Sequence, residues 1–235
     1  MQPTDRAAEP SVNASASTET ARRLLIVEDH PIMRYGLAQL VADESDLEIA
    51  GEAGNAAEAM TLLDQLQPDL VVIDLTLPDK NGLELLKDIQ ALHPGTRCLV
   101  LSMHDEDVYG ERCLRAGARG YLMKEVAAAQ FVSAARRVLS GALYVSEALN
   151  TRMLENAVSG RAPTTQPTAV SRLSDRELEV LEKIGRGIAT KNIAEHMSIS
   201  PRTVEAHRAH IKEKLGLTDG AELVRFAVQW VDQSH

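Results

Sequence analysis

The sequence predicts an α/β fold, a five-stranded doubly wound parallel sheet, followed by a small all-α helix-turn-helix domain. Three observations predict it. Five short aliphatic runs alternate with amphipathic stretches from Arg22 to about residue 139. After a Pro/Thr-rich segment the patterning becomes helical only. Net charge is split: residues 1–169 carry 15 Lys+Arg against 24 Asp+Glu, whereas 170–235 carry 10 of each and four histidines.

The runs are RRLLIV (22–27), LEIAGE (47–52), DLVVID (69–74), RCLVLS (97–102) and RGYLM (119–123). Short, β-branched and bounded by polar residues, they suit strands buried on both faces. Helical patterns lie near 31–42, 55–66, 82–92, 105–116 and 127–139, the first with an apolar stripe of Ile32, Leu37, Leu40 and Val41. Five βα units in series give an open parallel sheet with helices on both faces. Residues 1–21 read as a disordered tail and 22–143 as the α/β domain; 144–170 is a linker with a helix near 145–158 and a flexible stretch over 159–170.

In 171–235, Ser174 with Glu177 forms a capping box opening a helix over 175–184, which Gly185 and Gly187 end. Thr190 caps a short helix to about Met197. Ser200-Pro201 supplies an N-cap and an N1 proline for a helix to Leu215, stopped by Gly216, and Asp219 with Glu222 opens the last helix to about Val231. Two helices joined tightly, the second capped this well, form a helix-turn-helix candidate.

Composition excludes several classes. No apolar run approaches the roughly 20 residues that cross a bilayer, and the first twenty residues lack an apolar signal core, so a cytoplasmic protein without membrane contact is expected. Cys98 and Cys113 lack metal or CxxC spacing and read as inert thiols. The acidic first part suits cations; only the neutral second part suits DNA.

The polar residues of interest cluster at strand ends: Glu28 and Asp29 after the first strand, Asp74 ending the third, Ser102 ending the fourth and Lys124 after the fifth. In a doubly wound sheet these ends share one edge, where ligands bind at the topological switch point. Three carboxylates gathered there repel one another unless a cation sits among them, and hard oxygens with open positions suit Mg2+. A carboxylate beside Mg2+ is a competent nucleophile toward a phosphoryl donor, whose oxygens Lys124 and Ser102 are placed to bind. Each residue alone has a blander reading, a helix cap or a surface lysine; their coincidence on one edge favours the phosphoryl site.

The segments E-D-H (28–30), DLTLPDKNG (74–82), LSMHDE (101–106) and GARGYLMK (117–124) resemble the flavodoxin-like receiver domain of bacterial response regulators. The resemblance implies that Asp74 is the phospho-acceptor, fed by a sensor histidine kinase. It also implies that Glu28, Asp29 and Asp74 hold Mg2+ with the Thr76 carbonyl, and that Tyr121 is a switch aromatic rotating inward when Ser102 moves. Met103 stands where the family often has a small residue.

On the helix over 201–215, Val204, His207, Ile211 and Leu215 share one face at 100° per residue. The opposite face shows Arg202, Ala206, Ala209 and Glu213, flanked by Glu205 and Lys212, and its two alanines make it smooth enough for a major groove. Lys191, Arg202, Thr203, Lys212 and Lys214 are placed as phosphate contacts. Residues 171–216, with L-S-x-R-E-x-E-V-L and T-V-x-x-H, resemble the LuxR/NarL-type DNA-binding domain. That resemblance implies binding to double-stranded DNA, base contacts by Glu205, Ala206 and Ala209, and a homodimer on phosphorylation. Leu223, Phe226, Ala227 and Trp230 either pack on the bundle or offer the dimer surface. Taken together, the chain resembles a NarL/FixJ-type response regulator, not an enzyme. An aspartate-nucleophile phosphohydrolase needs a second Asp two residues after the first, and here Thr76 stands there. A protein-binding adaptor is supported only by the neutral charge of 170–235. The charge split leads us to expect the acidic domain to dock onto the basic edge of the 201–215 helix and so restrain DNA binding.

Overall fold

The computed structural model describes residues 21–159 and 169–233. The expected tail, apart from Ala21, and residues 160–168 of the expected linker lie outside these. Every aliphatic run forms a strand: β1 (Arg22–Val27), β2 (Leu47–Ala53), β3 (Leu70–Asp74), β4 (Arg97–Ser102) and β5 (Gly120–Met123). All pair in parallel in the order β2-β1-β3-β4-β5, so the order reverses between β1 and β3. Helices α1 (Pro31–Ala42), α2 (Ala56–Leu66), α3 (Gly82–Leu92), α4 (Glu106–Arg115) and α5 (Ala127–Leu139) follow the strands in turn.

Alternate residues of β1, β3 and β4 feed two apolar layers, which is why those strands read as continuous apolar runs. By contrast β2, at the sheet's edge, is buried only at Leu47 and Ala53 and not on both faces as expected. Leu24, Ile26, Val72 and Leu99 pack with Leu37 and Val41 of α1 and Phe131 of α5. Leu25, Val71, Ile73 and Val100 pack with Leu63, Leu86 and Val108 of α2, α3 and α4. The stripe expected on α1 is corrected here: Ile32 is 88% exposed. Five residues at 100° put it about 140° around the helix from Leu37, off the buried face.

After β5 the chain turns back along the sheet. Tyr121 N–H donates to the Tyr144 carbonyl and Tyr144 N–H to the Arg119 carbonyl, both at 2.9 Å, which covers part of the β5 edge. Helix α6 (Glu147–Ser159) then lies on α4, with Leu149 fully buried. Gly110 makes room for it, because a Cβ there would sit 2.6 Å from Leu149 Cδ2.

The second domain comprises α7 (Asp175–Gly185), α8 (Thr190–His196), α9 (Pro201–Leu215) and α10 (Gly220–Gln233). A 3-10 turn over Ala169–Arg172 buries Val170, so the end of the expected linker belongs to this core. The capping box of Ser174 and Glu177 is present, and Asn55, Asn81 and Ser200 cap their helices by side chain. The expected cap on α8 differs: Ala189 is the N-cap and Thr190 the first helical residue, its hydroxyl turned instead to Glu205. Gly185 lies inside α7, where α10 approaches so closely that a Cβ would be 2.4 Å from the Ala227 carbonyl oxygen; Gly187, at φ +74°, makes the turn. Among the described residues no helix is long and apolar enough to cross a membrane.

Candidate functional site

Parallel pairing brings the expected residues to one edge. Val27 lies beside Ile73, Asp74 beside Leu101, and Ser102 beside Met123, so Glu28, Asp74, Ser102 and Lys124 gather across four neighbouring strands. Glu28, Asp74 and Ser102 are buried. Lys124 Nζ bridges two of them, 2.7 Å from Glu28 Oε2 and 2.9 Å from Asp74 Oδ2. Asp74 Oδ1 accepts from the Thr76 N–H at 3.1 Å. Burial pushes the Asp74 carboxyl up to about 6; Lys124 opposes the rise and Glu28 adds to it. Burial disfavours the Lys124 ammonium, yet the two carboxylates hold its pKa above the ordinary lysine value. Gly82 is needed at this edge because a Cβ would fall 2.0 Å from the Asp74 carbonyl oxygen.

Glu28, Asp29, His30 and Asp74 each offer a ligand atom, all within 4.8 Å of one another. Three hard carboxylates with one side open fit Mg2+. His30 has no role in the sequence reading: its Nδ1 lies 2.7 Å from Asp29 Oδ1 and 3.0 Å from Glu28 Oε1, and its ring is exposed. It orients the acidic pair from outside.

Tyr121, expected to rotate inward, is already inside, with 1% of its surface exposed and its hydroxyl donating to the His104 carbonyl at 2.7 Å. His104 itself was missed. Its N–H donates to Ser102 Oγ at 3.0 Å and its Nε2 lies 3.1 Å from Thr76 Oγ1. Met103 sits half-exposed beside it.

On α9 the expected faces are present. Val204 and Ile211 are buried and His207 is half-buried, while Arg202, Thr203, Glu205, Ala206 and Ala209 are exposed. Lys191 is open to solvent, and Lys212 is half-buried. Two expected contacts are engaged within the protein: Lys214 Nζ is 2.6 Å from Glu177 Oε2, and Thr203 is tied to Ser200 Oγ. Glu205 accepts from the Thr190 hydroxyl at 3.1 Å, which fixes it across the helix-turn-helix. On α10, Leu223 and Ala227 are buried in the bundle, and Phe226 and Trp230 pack against it.

The domains do touch, but the expected charge pattern is reversed. The α/β domain supplies most of the cations and α7 most of the carboxylates, with Glu84 and Arg176, 3.5 Å apart, paired the other way. Arg112 of α4 donates to Asp175 at 2.8 Å and to the Leu173 carbonyl at 2.7 Å, and Lys87 of α3 lies 2.7 Å from Asp175. Tyr109 OH donates to Glu182 Oε2 at 3.3 Å. The recognition face of α9 stays exposed, so this docked arrangement does not cover it.

Residues 24–136 match the response regulator receiver domain, and 171–227 match the luxR family of bacterial regulatory proteins. The chain is 36% identical over 212 residues to the oxygen regulatory protein NreC of Staphylococcus aureus (strain JH9), a match covering 88% of this chain and 97% of that one. A two-component response regulator of the LuxR family from Aurantimonas sp. SI85-9A1 is 32% identical with a TM-score of 0.55, over 59% of this chain and 99% of that one. RcsB from Salmonella typhimurium shares the fold, with a TM-score of 0.70 at 23% identity over 89% of this chain and 98% of that one. The chain therefore belongs to the response regulators that join a receiver to a LuxR-type DNA-binding domain, and it is a transcription factor of that family rather than an enzyme.

Proposed function

We propose that Asp74 accepts a phosphoryl group from a sensor histidine kinase in the cytoplasm, and that the phosphorylated chain binds double-stranded DNA through α9 as a homodimer. One observation carries the reading: a buried carboxylate, Asp74, faces Lys124 at 2.9 Å beside the acidic pair at the sheet's switch point. An Asp74 carboxylate oxygen attacks phosphorus, the bond from phosphorus to the kinase imidazole breaks, and the imidazole leaves with the electron pair. Glu28, Asp29 and Asp74, with the Thr76 carbonyl, are the residues to hold Mg2+, which when bound supplies positive charge against the phosphoryl oxygens. Lys124 moves from carboxylate to phosphoryl oxygen, keeping its charge paired, and Ser102 donates its hydroxyl. The buried Tyr121 carries any movement of Ser102 and His104 outward.

On DNA, Glu205, Ala206 and Ala209 are the base readers, and Lys191, Arg202, Thr203, Lys212 and Lys214 form the phosphate-facing set. A Salmonella RcsB structure bound to promoter rprA in the presence of phosphomimetic BeF3- supports the pairing of acceptor chemistry with DNA binding. The test is to treat the protein with acetyl phosphate and Mg2+ and map the modified residue. Label at residue 74, absent from Asp74→Asn, is expected; equal labelling of both proteins overturns the assignment.

A further inference from the structure

His104 touches three of the residues assigned to the acceptor site: the Thr76 hydroxyl, Ser102 Oγ and the Tyr121 hydroxyl. Its ring is buried and stacks on Tyr109, with centroids 4.8 Å apart and planes 28° apart. The wall that closes this pair belongs to the other domain. Glu182 of α7 places Oε1 3.6 Å from His104 Nε2, while its Oε2 accepts from Tyr109 OH at 3.3 Å. Arg186 holds Glu182 from behind at 2.6 Å. A chain of contacts therefore runs from Asp74 through Thr76 and His104 to the DNA-binding domain.

We infer that Glu182 is a positioning residue for phosphoryl uptake at Asp74: by holding His104 and Tyr109 it keeps the Thr76 and Ser102 loops in place, so that docking of α7 and phosphorylation favour one another. The inference rests on Asp74 being the acceptor. Its sign comes from the docked geometry. Tyr121 is already buried and Ser102 already tied, so the loops flanking the acceptor are ordered while α7 is in contact. Undocking opens the His104–Tyr109 pair to water and frees both loops, and attack on phosphorus then waits on ordering them again. Whatever docking gives to uptake, a phosphoryl group gives back to docking. The exposed recognition face makes the docked form compatible with DNA.

The experiment measures the rate at which full-length protein is phosphorylated by acetyl phosphate with Mg2+. In that reaction the Asp74 oxygen–phosphorus bond forms as the phosphorus–oxygen bond to the acetyl group breaks and acetate leaves. Wild type is mapped first; failure to find label at residue 74 overturns the acceptor reading itself, before any variant is compared. With residue 74 labelled, Glu182→Ala is expected to slow uptake by about fivefold or more. Glu182→Gln, which keeps an oxygen for Tyr109, should fall between, and Tyr109→Phe should slow uptake without touching any charge. In a His104→Ala background Glu182→Ala should add nothing, a non-additivity that a merely structural role would not produce. Phosphorylation should also slow hydrogen exchange in α4 and α7 of the wild type. Uptake by Glu182→Ala at or above the wild-type rate, or an undiminished effect in the His104→Ala background, overturns the inference.

Discussion

At the carboxyl edge of the sheet, Glu28, Asp74 and Ser102 are nearly sealed from solvent, and burial holds Asp74 well above an ordinary carboxylate. On α9, Arg202, Glu205, Ala206 and Ala209 stand in water on a single helix face. The first region concentrates its chemistry in a few coupled groups whose energies depend on one another. The second spreads recognition over a surface whose members act nearly independently. Single substitutions should therefore be decisive in one region and graded in the other, and that contrast can be attacked from both sides.

The most severe expected outcome is Asp74→Asn, which should abolish phosphoryl uptake, a loss of at least about 100-fold. Lys124→Ala should retain some acceptance, because its removal deletes a phosphoryl contact rather than the nucleophile. It also leaves Asp74 and Glu28 facing each other unpaired, so its melting temperature should fall. Should Asp74→Asn label as fast as wild type, the two regions do not differ as described. Gly82→Ala tests the same edge through the backbone. Its Cβ would overlap the Asp74 carbonyl oxygen at 2.0 Å and approach Leu75 Cα at 2.7 Å. A cost of about 2–3 kcal/mol in urea unfolding is expected, with slower uptake as the end of β3 shifts. A Gly82→Ala protein of wild-type stability would show that the edge is more yielding than its packing implies.

Much of this architecture was legible because it obeys local rules. Strands buried on both faces are written as unbroken aliphatic runs, and Ser174, Ser200 and Asp219 announce helix starts by their own side-chain chemistry. Placing polar residues at the ends of those runs then located Glu28, Asp74, Ser102 and Lys124. What was not legible lies between distant segments. Arg112 meets Asp175 across 63 residues and Tyr109 meets Glu182 across 73, separations at which no periodicity survives. His104 sits two residues past Ser102, yet a single histidine in an acidic loop gives no pattern to distinguish a buried hub from a surface residue. The charge split pointed to a contact between domains but misassigned which side supplies which sign, because net charge is silent on where Lys87 and Arg112 sit.

The DNA-facing region should respond gradually. Replacing a base reader, as in Ala206→Lys, should change sequence preference in selection from random DNA. Removing a phosphate contact should weaken all sites alike and flatten the salt slope by about one unit. The structure sharpens this between two lysines. Lys191 is open to solvent, with 82% of its side chain exposed, and its Ala variant should show the full change in slope. Lys214 is held by Glu177, whose carboxyl lies below its usual range: burial opposes the shift, and the Lys214 bond outweighs it. Lys214→Ala should therefore lower stability more than salt dependence. Equal slope changes for both would mean that Glu177 releases Lys214 to DNA.

The smallest expected effect concerns the contact that joins the two regions. Asp175, at the start of α7, faces Lys87 from α3 and Arg112 from α4, at 2.7 and 2.8 Å. Glu84 shares Lys87 and also lies 3.5 Å from Arg176, so it tempers the local positive charge. Burial works against the Asp175 carboxylate, but the two cations prevail and hold it below its ordinary 3.8. A carboxyl whose pKa is lower in the docked form stabilises docking at pH above its undocked value, and that contribution fades as pH falls through the lowered one. Docking, followed by energy transfer between dyes on α2 and α10, should thus be constant from neutral pH down to about 4 and loosen below it. Asp175→Asn should be looser already at pH 7, by about 1 kcal/mol or roughly fivefold, and should lack this acid limb. If it docks as tightly as wild type at neutral pH, the remaining contacts, Tyr109 with Glu182 and Arg112 with the Leu173 carbonyl among them, hold the domains together by themselves. The charges of Lys87 and Arg112 would then set only the orientation in which α7 presents Glu182 to His104.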